Sequence, residues 1–127
     1  MRVLLDTHAF LWFVAADARL SAPARRAIID ASDALLSIAS CWEMAIKISL
    51  GKLTLATPIE RFLPEQLAAN RFQLLHVVIA HATRVATLPW HHRDPFDRLL
   101  AAQALDEELT VVSSDRVFRE YGVKTVW

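Results

Sequence analysis

Four short, unbroken apolar runs, separated by segments of helical length, constrain this chain more than any other feature. VLL (Val3–Leu5), ALLSI (Ala34–Ile38), FQLLHV (Phe72–Val77) and LTVVSS (Leu109–Ser114) read as buried strands, and VKTVW (Val123–Trp127) as a terminal one. Continuous apolar character marks a strand covered on both faces, and a strand–helix alternation requires parallel pairing through crossovers. The pattern predicts an α/β fold: one domain over residues 1–127, with a central, mostly parallel sheet flanked by helices on both faces and right-handed crossovers. HAFLWFVAA (His8–Ala16) is apolar nearly all round and reads as a buried helix. Ser21 beside Pro23 caps the next helix. Ser40 opens a helix stopped by Gly51, Thr57 opens one interrupted by Pro64, and IAHATRVATL ends before Pro89. DPFDRLLAAQALDEE (Asp94–Glu108) is the best-marked helix of all.

Composition removes whole classes of function. The only glycines are Gly51 and Gly122, so neither a dinucleotide fingerprint nor a phosphate-cradling P-loop exists, nor a Gly-x-Ser-x-Gly hydrolase elbow. Cys41 is the only cysteine, which excludes an internal disulfide. No apolar run approaches the ~20 residues that span a bilayer, and Asp6 falls where a signal peptide's apolar region would lie. A cytoplasmic chain with no membrane partner is the expectation. Fourteen Lys plus Arg balance fourteen Asp plus Glu, without the basic excess of a duplex-binding module. Gathering four carboxylates on a metal would leave fourteen positive against ten negative groups, and eleven of the fourteen cations are Arg, the type suited to phosphate.

The acids fall where a doubly wound sheet does its chemistry, beyond the carboxyl ends of the strands. Asp6 ends VLLD, Glu43 follows ALLSIAS, Asp115 follows TVVSS, and Asp94 and Asp97 open the helix leading into that last strand. Each has a structural reading as well. Ser40 to Glu43 is a capping-box spacing, and Asp94-Pro95-Phe96-Asp97 is an N-cap, an N1 proline and a first-turn acid. Thr57-Pro58-Ile59-Glu60 repeats that form and suggests no chemistry. Asp97 heads a stripe with Leu100, Ala101 and Ala104, but Glu60 heads a similar one with Leu63 and Leu67, so spacing does not separate them. Asp6 is the hardest to explain by capping alone, because it closes a buried strand where a lone charge is costly.

Crowded carboxylates repel one another, and a divalent ion relieves that. Oxygen-only ligands suit Mg²⁺ or Mn²⁺ and, with them, phosphodiester hydrolysis. Zinc fits poorly, since Cys41 stands alone and His91 and His92 are adjacent. His76, His81, His91 and His92 read as loop or helix-surface residues. His8 either approaches the substrate or pins the turn after Asp6. Trp12, Trp42, Trp90 and Trp127 read as core or interface anchors rather than base-stacking platforms. A haloacid-dehalogenase phosphatase needs a second Asp where His8 stands, and a receiver domain needs paired acids that are missing near Asp6. An inactive binding module is a third alternative.

LLDTHAFLW, SCWEMAIKISLGKL, DPFDRLLAAQA and LTVVSSDRVFREYGV together resemble the PIN-domain ribonucleases, with the closest likeness to VapC-type toxins of toxin–antitoxin pairs whose first motif reads Asp-Thr-His. The likeness runs from Met1 to Trp127. It implies a metal-dependent endoribonuclease that leaves 5′-phosphate and 3′-hydroxyl ends, an RNA substrate, a protein antitoxin and a homodimer. By position, Asp6, Glu43, Asp97 and Asp115 match the family's acidic quartet. Asp6 and Asp97 match its principal Mg²⁺ ligands, and Thr7 and Ser113 match supporting hydroxyl positions. Asp94 is left as the helix cap. Ser-Ser-Asp stands where many relatives have Thr before the spaced acid.

Overall fold

Leu4 lies in register between Leu35 and Val111 on one face of a sheet, and Leu5 lies between Leu36 and Val112 on the other. This two-residue alternation puts each short apolar run against two separate cores. The computed structural model describes Met1–Trp127. Its strands are β1 (Arg2–Leu5), β2 (Asp33–Ser37), β3 (Gln73–Leu75), β4 (Thr110–Val112) and β5 (Thr125–Val126), in the order β3-β2-β1-β4-β5. Every pairing is parallel. The chain runs outward from β1 through β2 to β3, then returns to lay β4 on the opposite side of β1. That reversal leaves a crevice beyond the carboxyl ends of β1 and β4.

Seven helices cover the sheet: α1 (Thr7–Val14), α2 (Ala22–Asp30), α3 (Ile38–Ser49), α4 (Ile59–Asn70), α5 (Ile79–Arg84), α6 (Pro95–Glu107) and α7 (Val117–Glu120). One core joins Val3, Leu5 and Leu36 to Ala9 and Phe10 of α1, Ala24 and Ile28 of α2 and Met44 of α3. The other joins Leu4 and Val111 to Leu100, Ala101 and Ala104 of α6 and to Val117 and Phe118 of α7. Burying each large side chain contributes about 1.5–3 kcal/mol, so the fold rests on these cores. No helix is long and apolar enough to cross a membrane.

Several local expectations need correction. β2 runs straight into α3 with no loop. Ser37 ends the strand in an extended conformation and caps the helix through Ala39 N–H at 3.0 Å. Ser40 therefore lies inside α3, buried with its hydroxyl unpartnered, and there is no Ser40–Glu43 capping box. Thr57 does not cap α4 either. Pro58 holds that position without a side-chain bond, and the helix continues through Pro64, whose missing donor falls opposite the exposed first turn. In α1 only Thr7, Ala9 and Phe10 are buried; Leu11, Trp12 and Val14 are half-exposed along a groove, and Phe13 packs against Phe72.

His81 is the largest departure. It is 1% exposed rather than on a helix surface. Its Nδ1 accepts from Val78 N–H at 3.2 Å and lies 3.3 Å from Gln103 Nε2, while its Nε2 lies 3.1 Å from Glu107 Oε1. Gln103, fully buried on α6, accepts from the Ser37 hydroxyl at 2.6 Å. A continuous polar chain thus ties α5 and α6 to the junction of β2 with α3. Removing its centre strands buried partners at both ends. Gln103→Leu, similar in volume, should lower stability by about 1–3 kcal/mol in urea unfolding. A loss below ~0.5 kcal/mol, the level of an ordinary surface change, would contradict this account.

Candidate active site

Asp6, Asp94 and Asp115 are positioned by backbone N–H groups and Glu43 by neighbouring side chains. Asp6 leaves β1 in an extended conformation and caps α1, its Oδ1 accepting from Ala9 N–H at 2.7 Å. Thr7 is turned inward, and its hydroxyl donates to Glu43 Oε1 at 2.6 Å. Lys47, one turn further along α3, places its Nζ 3.0 Å from Glu43 Oε2. Glu43 is thus fixed through both oxygens. Asp94 caps α6, accepting from Phe96 N–H at 2.8 Å and Asp97 N–H at 3.3 Å. Asp115 accepts from Val117 N–H and donates its own N–H to the hydroxyl of buried Ser113, both at 3.0 Å.

These side chains meet. Asp6, Glu43, Asp94, Asp97 and Asp115 line one cavity of about 410 Å³, together with Thr7, His8, Lys47, His92 and Ser114, and no apolar residue lines it. Glu60, in the sequence form that imitates Asp97, is exposed and takes no part. Its helix packs beside α1, away from the strand ends, whereas α6 begins at the crevice.

The electrostatic consequence is concentrated on Asp97. Burial and then the charges of Asp94, Asp115, Glu43 and Asp6 push its carboxyl up to about 7, and no donor pulls it down. Asp6 is also raised by burial. There the Ser113 hydroxyl, Ala9 N–H and nearby His8 oppose the effect, while Asp115 adds to it. A cavity of carboxylate oxygens with so little internal compensation suits a hard divalent cation.

The sequence reading missed two contributors. Lys47 stands at the i+4 position from Glu43, a spacing that could have identified it. His92 was read as an ordinary loop residue, yet a ring nitrogen lies within 4.8 Å of carboxylate oxygens of Asp97 and Asp115. Its Nδ1 accepts from Asp94 N–H at 2.8 Å, which leaves the proton of the neutral ring on Nε2. His92 is therefore a donor to this pocket rather than a metal ligand. The same logic removes His81, Asp106 and Glu107 as a second metal centre, because His81 Nδ1 is an acceptor and Nε2 faces Glu107 as a donor. Trp12 and Trp127 meet edge to face at 5.8 Å, partly buried against the core. Trp42 and Trp90 are exposed and do not belong to it.

A doubly wound parallel sheet with a carboxylate pocket at its point of reversal defines the class of protein. The family described as PIN domain matches residues 3–124, and the chain belongs to that family. Ribonuclease VapC22 of Mycobacterium tuberculosis is 33% identical over 98% of both chains. The fold is shared with VapBC2 of Rickettsia felis, solved bound to a DNA fragment from its promoter, at a TM-score of 0.73, 14% identity and coverage of 98% of this chain and 97% of that one. FitAB bound to an IR36 DNA fragment gives a TM-score of 0.66 at 19% identity, covering 97% and 92%. FitAcB of Neisseria gonorrhoeae gives 0.61 at 22%, covering 97% and 95%.

The raised Asp97 carboxyl has a measurable sign. Its folded-state value lies above its ordinary 3.8, so the folded chain keeps a proton that the unfolded chain releases. Stability linked to that proton is complete below about 3.8 and is lost as pH rises through about 7. In the presence of a chelator, Asp97→Asn should therefore melt a few degrees above the parent at pH 8 and by a clearly smaller margin at pH 5. An equal difference at both pH values would refute the assignment.

Proposed function

We propose that the protein is the toxin of a VapC-type toxin–antitoxin pair and acts in the cytoplasm as a Mg²⁺- or Mn²⁺-dependent endoribonuclease formed by a single domain over residues 1–127. The observation that carries this reading is the convergence of Asp6, Glu43, Asp97 and Asp115 on one cavity without apolar lining. Family membership and a full-length ribonuclease relative support it.

Asp6 and Asp97 are the principal ligands. Asp6 Oδ1 is engaged by Ala9 N–H, which orients Oδ2, and the Asp97 carboxylate has no donor of its own. Glu43 and Asp115 complete the site, directly or through water. When bound, the ion supplies Lewis acidity, making water more acidic and neutralising charge on the phosphate. Thr7 and Lys47 hold Glu43 in one orientation, and Ser113 steadies Asp6 and the backbone of Asp115. His92, with its proton on Nε2, donates toward the carboxylates or an incoming phosphate oxygen. The N-terminus of α6 faces the same cavity and favours negative groups.

The groove of about 640 Å³ along α1 and α4 is lined by Leu11, Trp12, Leu53 and Phe62 and reaches Lys47 beside the acids. It suits an apolar antitoxin segment that closes the pocket. The exposed side chains Trp42, Val78 and Ile79 provide apolar surface for a homodimer.

Expression of the wild type should arrest growth, while Asp6→Asn and Asp97→Asn, folded by circular dichroism, should not. Cleavage of RNA by the purified variants should fall by roughly 100-fold or more, reflecting several kcal/mol of lost charge stabilisation. Mn²⁺ should raise the melting temperature of the wild type but not of Asp97→Asn. Equal toxicity and equal Mn²⁺ response in all three proteins would end the proposal.

A further inference from the structure

Next to the acid pocket, and sharing His92 with it, lies a cavity of about 580 Å³ lined by Trp90, His91, His92 and Arg93. No carboxylate lines it, although the chain carries as many acids as bases. Trp90 is 78% exposed. So large an apolar surface in water marks a contact surface.

Trp90 is nevertheless held in place. The Arg98 guanidinium sits 4.0 Å from the centre of its ring and is itself 4% exposed. Arg98 Nη1 donates to the Pro89 carbonyl at 2.9 Å and the Tyr121 hydroxyl at 3.0 Å, and Nη2 donates to the carbonyls of Val85 at 3.1 Å and Leu88 at 3.5 Å. None of these partners is a carboxylate, so a buried cation is committed to shaping the backbone from Val85 to Trp90 and bracing one face of the indole. The ring is pre-positioned and largely open to solvent. A rigid aromatic of this kind loses little entropy when a partner covers it.

We propose that Trp90 stacks on a base of the RNA substrate and that Arg93 contacts the adjoining backbone, so that Pro89–Arg93 forms the α6-side wall of the substrate groove. This rests on the ribonuclease reading above. An acid pocket repels the polyanion it must cleave, and binding strength has to come from neighbouring surface. A surface with one large aromatic and three nitrogen-rich side chains fits a chain of phosphates and bases better than an apolar peptide. Trp90, read from sequence as a core or interface anchor, is reassigned on this geometry.

The test compares wild type, Trp90→Ala, Trp90→Phe and Ile29→Ala, the last an exposed apolar residue of α2 that lines neither the acid pocket nor the Trp90 cavity, on fluorescein-labelled single-stranded RNA, by anisotropy and by steady-state cleavage with Mn²⁺. Trp90→Ala should raise Kd and KM ~5- to 100-fold, the range for one stacked base, with kcat nearly unchanged. Trp90→Phe should recover most of the loss, and Ile29→Ala should show little. A walk of single abasic sites along the RNA should find one position that weakens wild-type binding and leaves Trp90→Ala unaffected, a readout independent of folding differences. If wild type binds and cuts while Trp90→Ala matches it, or if Trp90→Ala instead loses self-association or antitoxin binding, the proposal fails and the ribonuclease reading stands. Trp90-dependent RNA binding without cleavage would support the stacking role and overturn the nuclease. Absence of both binding and cleavage would overturn both.

Discussion

Repulsion among carboxylates held at close range governs this structure's working end. Asp6, Glu43, Asp97 and Asp115 come from four separate stretches of chain and share a small polar cavity. Left to themselves, such groups would separate or protonate. Here they cannot separate, because Asp6, Asp97 and Asp115 are anchored at strand ends or a helix start, and Glu43 in the second turn of α3, all positioned by the buried cores. Burial first, and that repulsion second, raise the Asp97 carboxyl to about 7. The fold gathers five carboxylates against a single lysine in that cavity, an excess of negative charge that suits a divalent cation.

Capping a helix and lining the pocket are compatible roles here. Asp6 and Asp115 each use Oδ1 to accept a nearby backbone N–H and still line the pocket. Asp94 and Asp97 divide the labour instead. Asp94 accepts the N–H groups at the start of α6, and Asp97, one residue past the proline and phenylalanine, is left without a donor. The helix start that looks like ordinary punctuation therefore sets the direction of a reactive group.

Buried polar groups extend this organisation beyond the pocket. The chain from Glu107 through His81 and Gln103 to Ser37 ties α6, which carries Asp97, to the junction from which α3 carries Glu43. Arg98 does the same for the loop leading into Asp94, trading hydration for four oxygen partners and an aromatic face. Both devices fix loops and helix ends relative to the sheet, where apolar contacts alone leave direction loosely specified.

The alternation of apolar strands and helices, the helix stop at Gly51, the caps Ser21 and Asp94, and the placing of acids just after strands were all legible in the sequence, because they depend on neighbours within a few residues. Tertiary structure decided the rest. Glu60 and Asp97 have the same local form, and only the position of their helices relative to the strand ends separates them. Ser40 looked like a cap until β2 was seen to run directly into α3 from Ser37. His81 and His92 looked like surface residues because their partners, Gln103 with Glu107 and Asp97 with Asp115, lie on other elements or across the pocket. A hydrogen bond or a field between groups distant along the chain leaves no periodicity behind, so folding alone discloses it.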